Sequence, residues 1–139
     1  MIVQGQTTIF KQNVLSGLEN FAVGTPYVYK IALYTANADI NAATLVYTTS
    51  NEVVGSGYTA GGQVLTVIPP ASSGTTAYIS FNNALWTNAS FVVRSALIYN
   101  ATTLAAVAVL DFGSDKTATG MFTITFPAPT ATTAVIRYS

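Results

Sequence analysis

The side chains that most often carry out chemistry in proteins are scarce in this sequence. It has no His and no Cys, and its 139 residues include only five basic and five acidic ones. A serine or threonine nucleophile needs a neighbouring base, most often His, and a thiolate nucleophile needs Cys. We therefore expect no catalytic residue, no cofactor and no metal site, and we predict that the chain is not an enzyme.

Two short patterns look like known sites only when they are taken out of context. Asp111–Gly113 spells the metal-binding Asp-Phe-Gly triplet of kinases, but no His-Arg-Asp motif or strand lysine after a Gly-rich loop accompanies it. Gly55–Gly62 is glycine-rich like a phosphate-binding loop, yet Gln63–Ile68 after it has a strand pattern instead of a helix pattern. We interpret the first as a strand end before a turn and the second as a flexible connection.

The remaining oxygen-bearing motifs are equally weak. Asp111 and Asp115 lie within five residues of Lys116 in sequence. Two carboxylates are too few for Ca²⁺, which takes about six to eight oxygen ligands. Asn88 and Asn100 begin glycosylation triplets, but this pattern is short and common. We interpret these residues as parts of turns.

The low charge also narrows the range of partners. Charged residues make up 7% of the chain and the formal net charge is zero, so no basic stripe is available for nucleic acid. The most apolar run, Leu104–Leu110, is far shorter than the ~20 residues of a membrane-spanning helix. Lys11 and Gln12 interrupt any signal-peptide pattern at the start. We expect neither nucleic-acid nor membrane binding, and a neutral surface of this kind favours association with other subunits.

One helix is predicted near the start of the chain. Phe10, Val14, Leu18 and Phe21 recur every three or four residues, which predicts a helix over Thr8–Phe21. Thr7 or Thr8 can cap its first turn, and a Gly-x-Pro stop signal follows at residues 24–26.

The rest of the chain has a strand pattern. Phe122, Ile124 and Phe126 alternate with threonines, which predicts one buried face and one face open to solvent or to a partner. Strands are predicted at Tyr27–Tyr34, Leu45–Thr49, Gln63–Ile68, Ala77–Phe81, Phe91–Tyr99, Ala105–Phe112, Met121–Phe126 and Ala134–Tyr138. Turns are predicted between them at Pro69-Pro70, Asn82-Asn83, Asn100–Thr103, Gly113–Asp115 and Pro127–Pro129.

These elements predict a mainly β chain that forms an antiparallel, jelly-roll-like β-sandwich with one short N-terminal helix. The length fits one domain, with an arm and helix over residues 1–22 and the sandwich body over residues 23–139. Of the set formed by Trp86 and the eight tyrosines, most members are expected in the core and some at interfaces. Tyr47, Tyr58 and Trp86 are candidate interface residues, since Tyr and Trp are enriched at protein interfaces.

Several segments of the chain together resemble a group of small virion structural proteins of tailed bacteriophages. The first two are Lys30–Thr35 and Leu45–Gly62. The others are Ala96–Asn100, Ala106–Leu110, Asp111–Lys116 and Phe122–Phe126. The resemblance covers roughly residues 27–138 and includes no catalytic motif, so no site residue is carried over from the group.

The resemblance implies a structural protein of the virion. It favours a capsid decoration, or cement, protein that is made in the host cytoplasm and lies on the capsid surface. Its expected partners are the major capsid protein and further copies of itself, as a homotrimer. We expect Met1–Gln6 to be an arm that adds a strand to a neighbour, which makes Met1, Ile2, Val3 and Gln4 further candidate interface residues.

Tail or fibre placement is the alternative that the resemblance leaves open. A fibre domain that reads glycans would need an aromatic platform beside polar groups. Trp86 lies between Asn82-Asn83 and Asn88, which would provide that combination if its ring were exposed.

Overall fold

The computed structural model describes residues 1–138 of the chain. The elements are β1 Gly5–Gln6, α1 Thr8–Leu15, β2 Tyr29–Tyr34, β3 Gln63–Val64, β4 Val67–Ser73, β5 Thr76–Phe81, β6 Ala84–Asn100, β7 Ala106–Ile124 and β8 Ile136–Tyr138. Five strands form one sheet in the order β1-β7-β6-β2-β3, and three form a second in the order β4-β5-β8. All pairs of neighbouring strands in both sheets are antiparallel. The prediction of a mainly β, antiparallel, sandwich-like fold with one short helix is therefore confirmed.

The helix is shorter than predicted and ends at Leu15 instead of Phe21. Thr7 caps it as expected, because its hydroxyl accepts a hydrogen bond from the Phe10 backbone N–H at 3.2 Å. Gly17 adopts a left-handed φ of 72°, which turns the chain out of the helix. Leu18 consequently lies exposed, while Phe21 still reaches the core and stacks on Tyr29.

The largest departure from the sequence pattern is the hairpin of β6 and β7. These strands have 17 and 19 residues. β6 extends the predicted strand Phe91–Tyr99 back to Ala84, and β7 joins two predicted strands across the predicted turn at Gly113–Asp115. The predicted turn at Gly113–Asp115 is a bulge. Between the pairs Ser95–Asp111 and Val93–Lys116, β7 advances five residues while β6 advances two, so β7 carries three extra residues.

Other segments also differ from prediction. Gln63–Ile68, predicted as one strand, is divided between β3 and β4, which belong to different sheets. Pro69-Pro70 lies inside β4, where the pairing with β5 shifts register. β4 is at a sheet edge, where a proline that lacks an N–H costs no ladder hydrogen bond. Leu45–Thr49, predicted as a strand, makes only one isolated bridge, between Val46 and Ala105.

The core has two parts, one on each face of the five-stranded sheet. The larger part lies between the two sheets and includes Phe10, Tyr29 and Trp86. The smaller part lies on the other face, where Tyr34 and Leu97 are completely buried. The N-terminal segment contributes β1 to the sheet and Phe10 to the core, so it is part of the same folded body.

Candidate interaction surface

The two halves of the β6–β7 hairpin have different surroundings. In its inner half (residues 95–100 and 106–111), β6 pairs with β2 and β7 pairs with β1. Its outer half, here called the ribbon (residues 84–93 and 116–124), is a pair of strands that extends beyond those neighbours. The ribbon is the part of the hairpin that this chain covers least.

One face of the ribbon belongs to the core. The side chains alternate in and out of the sheet, and the inward pairs are Trp86 with Phe122 and Phe91 with Ala118. Trp86 is only 1% exposed. It offers no aromatic platform at the surface, so the glycan-reading alternative has no support from this residue.

The opposite face of the ribbon is exposed and carries no charge. Its four cross-strand pairs are Leu85–Thr123, Thr87–Met121, Ser90–Thr119 and Val92–Thr117. All eight residues are exposed, and Met121, at 65%, is the most exposed of the large apolar ones. Five of these residues carry threonine or serine hydroxyls, and the other three are apolar. The alternation at Phe122–Phe126 predicts that Thr123 and Thr125 are exposed, and this prediction is confirmed.

The ribbon also has an open edge. Among residues 1–138, no backbone group outside the hairpin bonds to residues 112–124 of β7. The last contact on that edge is from the Asp111 N–H to the Gln4 side chain at 3.0 Å. Proteins often protect such edges with charges or prolines, but on residues 112–124 the only charges are Asp115 and Lys116. An unpaired edge of this kind can accept an extended segment of a partner.

The ribbon is held in place at two points. At its base, Arg94 donates from Nε to Asp111 at 3.1 Å. The N–H of Gly113, and then Arg94, lower the pKa of Asp111. Further out, the Ser90 N–H donates to Ser56 at 2.9 Å. A Cβ at Gly57 would lie 2.6 Å from the Asn88 carbonyl oxygen, so glycine permits this close approach.

These contacts correct one expectation from the sequence. Gly55–Gly62 was predicted to be a flexible connection, but it packs closely against the chain. Gly57 approaches Asn88, and a Cβ at Gly62 would lie 1.7 Å from the Ile31 carbonyl oxygen. The glycines serve close packing against strands, which sequence spacing alone does not distinguish from flexibility.

A buried carboxylate anchors the same loop. Glu52 accepts from the Tyr47 hydroxyl at 2.6 Å, the Tyr58 hydroxyl at 2.5 Å and the Gly61 N–H at 2.8 Å. Burial, and then the nearby carboxylate, raise the pKa of Tyr99 to about 12, and the hydroxyl of Tyr99 donates to the Gly61 carbonyl. We call Glu52 with these three tyrosines the tyrosine cluster. These hydrogen bonds engage both carboxylate oxygens of Glu52, so the cluster fixes the loop.

A second carboxyl is less completely satisfied. Glu19 Oε2 accepts from the Tyr29 hydroxyl at 2.8 Å and from the Asn100 amide at 3.4 Å. Its Oε1 is buried without a hydrogen-bond partner. Burial raises the pKa of Glu19, and the hydrogen bonds from Tyr29 and Asn100 offset this only partly.

The candidate interface residues named from the sequence lie in different parts of the structure and do not form one surface. Tyr47 and Tyr58 bond to Glu52, and Trp86 is in the core. Met1 donates its amino group to Asp39 at 2.8 Å, and the Val3 N–H bonds to Ile40 at 3.0 Å. Ile2 packs against the smaller core part, and Gln4 bonds to Asp111. Within one chain, the expected arm therefore lies along its own sheet.

Only the Thr123 end of the ribbon face was predicted, and the rest was missed because the strands were predicted too short.

The described residues bring no group of three or more His, Cys, Asp or Glu side chains together as metal ligands. Within residues 1–138, no helix combines the length and the apolar character that crossing a membrane requires.

Comparisons with protein-family models, curated proteins and solved structures found no match for this chain. The residues described above are therefore the basis for a proposed function.

Proposed function

We propose that this chain is a structural protein of a bacteriophage particle, and specifically a capsid decoration protein that binds and stabilises the lattice of the major capsid protein. The proposal rests on the sequence segments that resemble small virion proteins. It also rests on one structural observation, the uncharged outer face of the ribbon with its open edge.

A surface of this composition is suited to a protein partner. At least fifteen large hydrophobic side chains are exposed among the described residues, compared with ten charged residues in the whole chain. Docking the ribbon face removes no charge from water, so it avoids the desolvation cost of burying ions. Its hydroxyls remain able to pair with a partner's backbone or side chains.

The open edge of β7 supplies a second means of attachment. Its free N–H and C=O groups can bond to an extended segment of a capsid subunit, as in strand addition. Each contact can be weak, because a capsid presents many equivalent sites and linked contacts strengthen one another. The proposed role needs no catalytic residue.

The proposal is tested with a charge placed on the ribbon face. Thr119→Asp should weaken binding of the purified protein to undecorated capsids of the encoding phage at least tenfold, because the new carboxylate must be desolvated. Thr75→Asp is the matched control, since Thr75 is exposed in the turn between β4 and β5, away from the ribbon.

Binding is measured by co-sedimentation with capsids, and thermal unfolding confirms that both variants fold. Wild-type affinity in Thr119→Asp would contradict the proposed docking face. Binding of the wild type to isolated tails but not to capsids would replace the capsid role with the tail or fibre alternative.

A further inference from the structure

The backbone of β7 turns hydrogen-bonding groups outward along the open edge of the ribbon. The Ser90 N–H donates to the Ser56 carbonyl at 2.9 Å, so the backbone groups of Ser90 point away from β7. Opposing residues of an antiparallel pair either bond to each other or both turn their groups away. Thr119 lies opposite Ser90, and Thr117 precedes Thr119 by two residues. The N–H and C=O groups of both threonines therefore face the open edge.

An apolar groove lies beside this edge on the core side. It consists of two adjoining hollows of about 300 and 350 Å³, which share Phe112, Ile124 and Thr125 as lining residues. The rings of Phe112 and Phe122 are partly exposed and meet edge to face, with their centroids 6.1 Å apart. Lys116 is the only charged residue among the described lining residues. We call the two hollows together the edge groove.

β1 shows what kind of group covers this edge of β7. It pairs there as an antiparallel strand, at Ala108 and Val109. The chain leaves the edge at Gln4, whose side-chain oxygen accepts from the Asp111 N–H at 3.0 Å. Past the bulge, no strand among residues 1–138 pairs with the same edge at Thr117 and Thr119. The outward backbone groups at these two positions fit a further extended strand.

We propose that an extended segment of the major capsid protein pairs with β7 at Thr117 and Thr119 and places every second side chain, an apolar one, in the edge groove. Side chains alternate between the two faces of a strand, so the remaining ones would continue the uncharged face of the ribbon. In strand addition, backbone hydrogen bonds supply affinity and pockets for alternate side chains supply specificity. This inference rests on the proposed function and adds the chemistry of the partner segment to it.

Amide hydrogen exchange tests the strand pairing directly. In the free protein, the Thr117 and Thr119 amides should exchange quickly, while Ala118, whose N–H faces Phe91 of β6, should exchange slowly. On undecorated capsids of the encoding phage, both threonine amides should slow about tenfold or more, because each gains a backbone hydrogen bond. The amides are labelled in the complex and read by NMR after the chain is released. The Thr75 amide, in the turn between β4 and β5, is the control and should be unchanged.

A side chain that fills the edge groove tests the second part of the proposal. Thr125 is exposed and lines both hollows. Thr125→Trp should weaken capsid binding about tenfold or more, because the apolar side chains of the partner segment lose the space they would fill. Thr75→Trp adds the same side chain away from the ribbon and should bind as the wild type does. Co-sedimentation measures binding, and thermal unfolding confirms that both variants fold.

Capsid-bound wild type whose Thr117 and Thr119 amides exchange as in the free protein would overturn the strand addition and leave the proposed capsid role intact. Wild-type affinity in Thr125→Trp would overturn the placement of side chains in the edge groove. Slow exchange of the two threonine amides in the protein alone would show that the edge is occupied without a capsid, which would also overturn the inference. A wild type that does not bind capsids would instead contradict the proposed function itself.

Discussion

The inner half and the ribbon of the β6–β7 hairpin have the same strands but different environments. In the inner half, neighbouring strands lie on both sides and core residues cover both faces, as Ile98 and Leu97 show. In the ribbon, one face carries the buried side chains of Trp86 and Phe91 while the other is exposed and uncharged. The inner half therefore contributes mainly to stability, and the proposed function assigns contact with a partner to the ribbon.

The largest expected difference is between two leucines of β6. Leu97 is fully buried and Leu85 is 41% exposed. Leu97→Ala should lower the free energy of unfolding by about 2–5 kcal/mol, because it leaves a cavity. Leu85→Ala should change it by no more than about 0.5 kcal/mol. Urea titration measures both values, and equal losses would show that the two halves are not distinct.

The loop that holds the ribbon gives the next test. Gly57 has a φ of 81°, and an added Cβ would clash with the Asn88 carbonyl. Gly57→Ala should therefore cost about 1–3 kcal/mol of stability. Gly74→Ala is a suitable control, because Gly74 also has a positive φ but a Cβ there meets no atom within 4 Å. Equal costs would mean that the close approach to the ribbon contributes nothing.

A substitution in the tyrosine cluster tests whether Glu52 anchors the loop that covers the inner half. Glu52→Gln keeps an oxygen acceptor but loses the charge that strengthens three hydrogen bonds, so stability should fall by about 1–2 kcal/mol. The loss should appear as faster amide hydrogen exchange over the loop from Tyr47 to Gly61. Unchanged exchange there would contradict the anchoring role of Glu52.

The smallest expected effect concerns Glu19. Its pKa lies above the ordinary value of 4.5 because it is buried, so the folded chain retains a proton that the unfolded chain has lost. Stability should therefore fall as the pH rises from about 4.5 through the folded pKa. Glu19→Gln should reduce this decline and be at least as stable as the wild type at neutral pH. Thermal unfolding from pH 4 to pH 7 checks this, and an unaltered pH profile would contradict it.

Much of the fold could be predicted because local patterns agree with the tertiary structure. Alternation at Phe122–Phe126 and the cap at Thr7 both depend on neighbouring residues in sequence. The helix end was wrong because Gly17 takes a left-handed conformation. Strand lengths were wrong because a turn signal at Gly113 is equally compatible with a bulge.

The candidate site was less predictable than the fold. No strand was predicted between Phe81 and Phe91, whereas pairing with β7 puts Trp86 in β6 and turns its side chain into the core. The ribbon face consists of residues from two strands, and their pairing is a long-range property. The loop glycines illustrate the same limit, since only the tertiary structure shows what each one approaches.

The proposed function docks the ribbon of this protein on a capsid. Cryo-electron microscopy of the intact phage particle at side-chain resolution is the decisive experiment. If the ribbon docks as proposed, density for this chain will repeat over the capsid lattice, with Thr119, Met121 and the open edge of β7 against the major capsid protein. Density confined to the tail or fibres, or capsid-bound copies whose ribbon faces solvent, would contradict it.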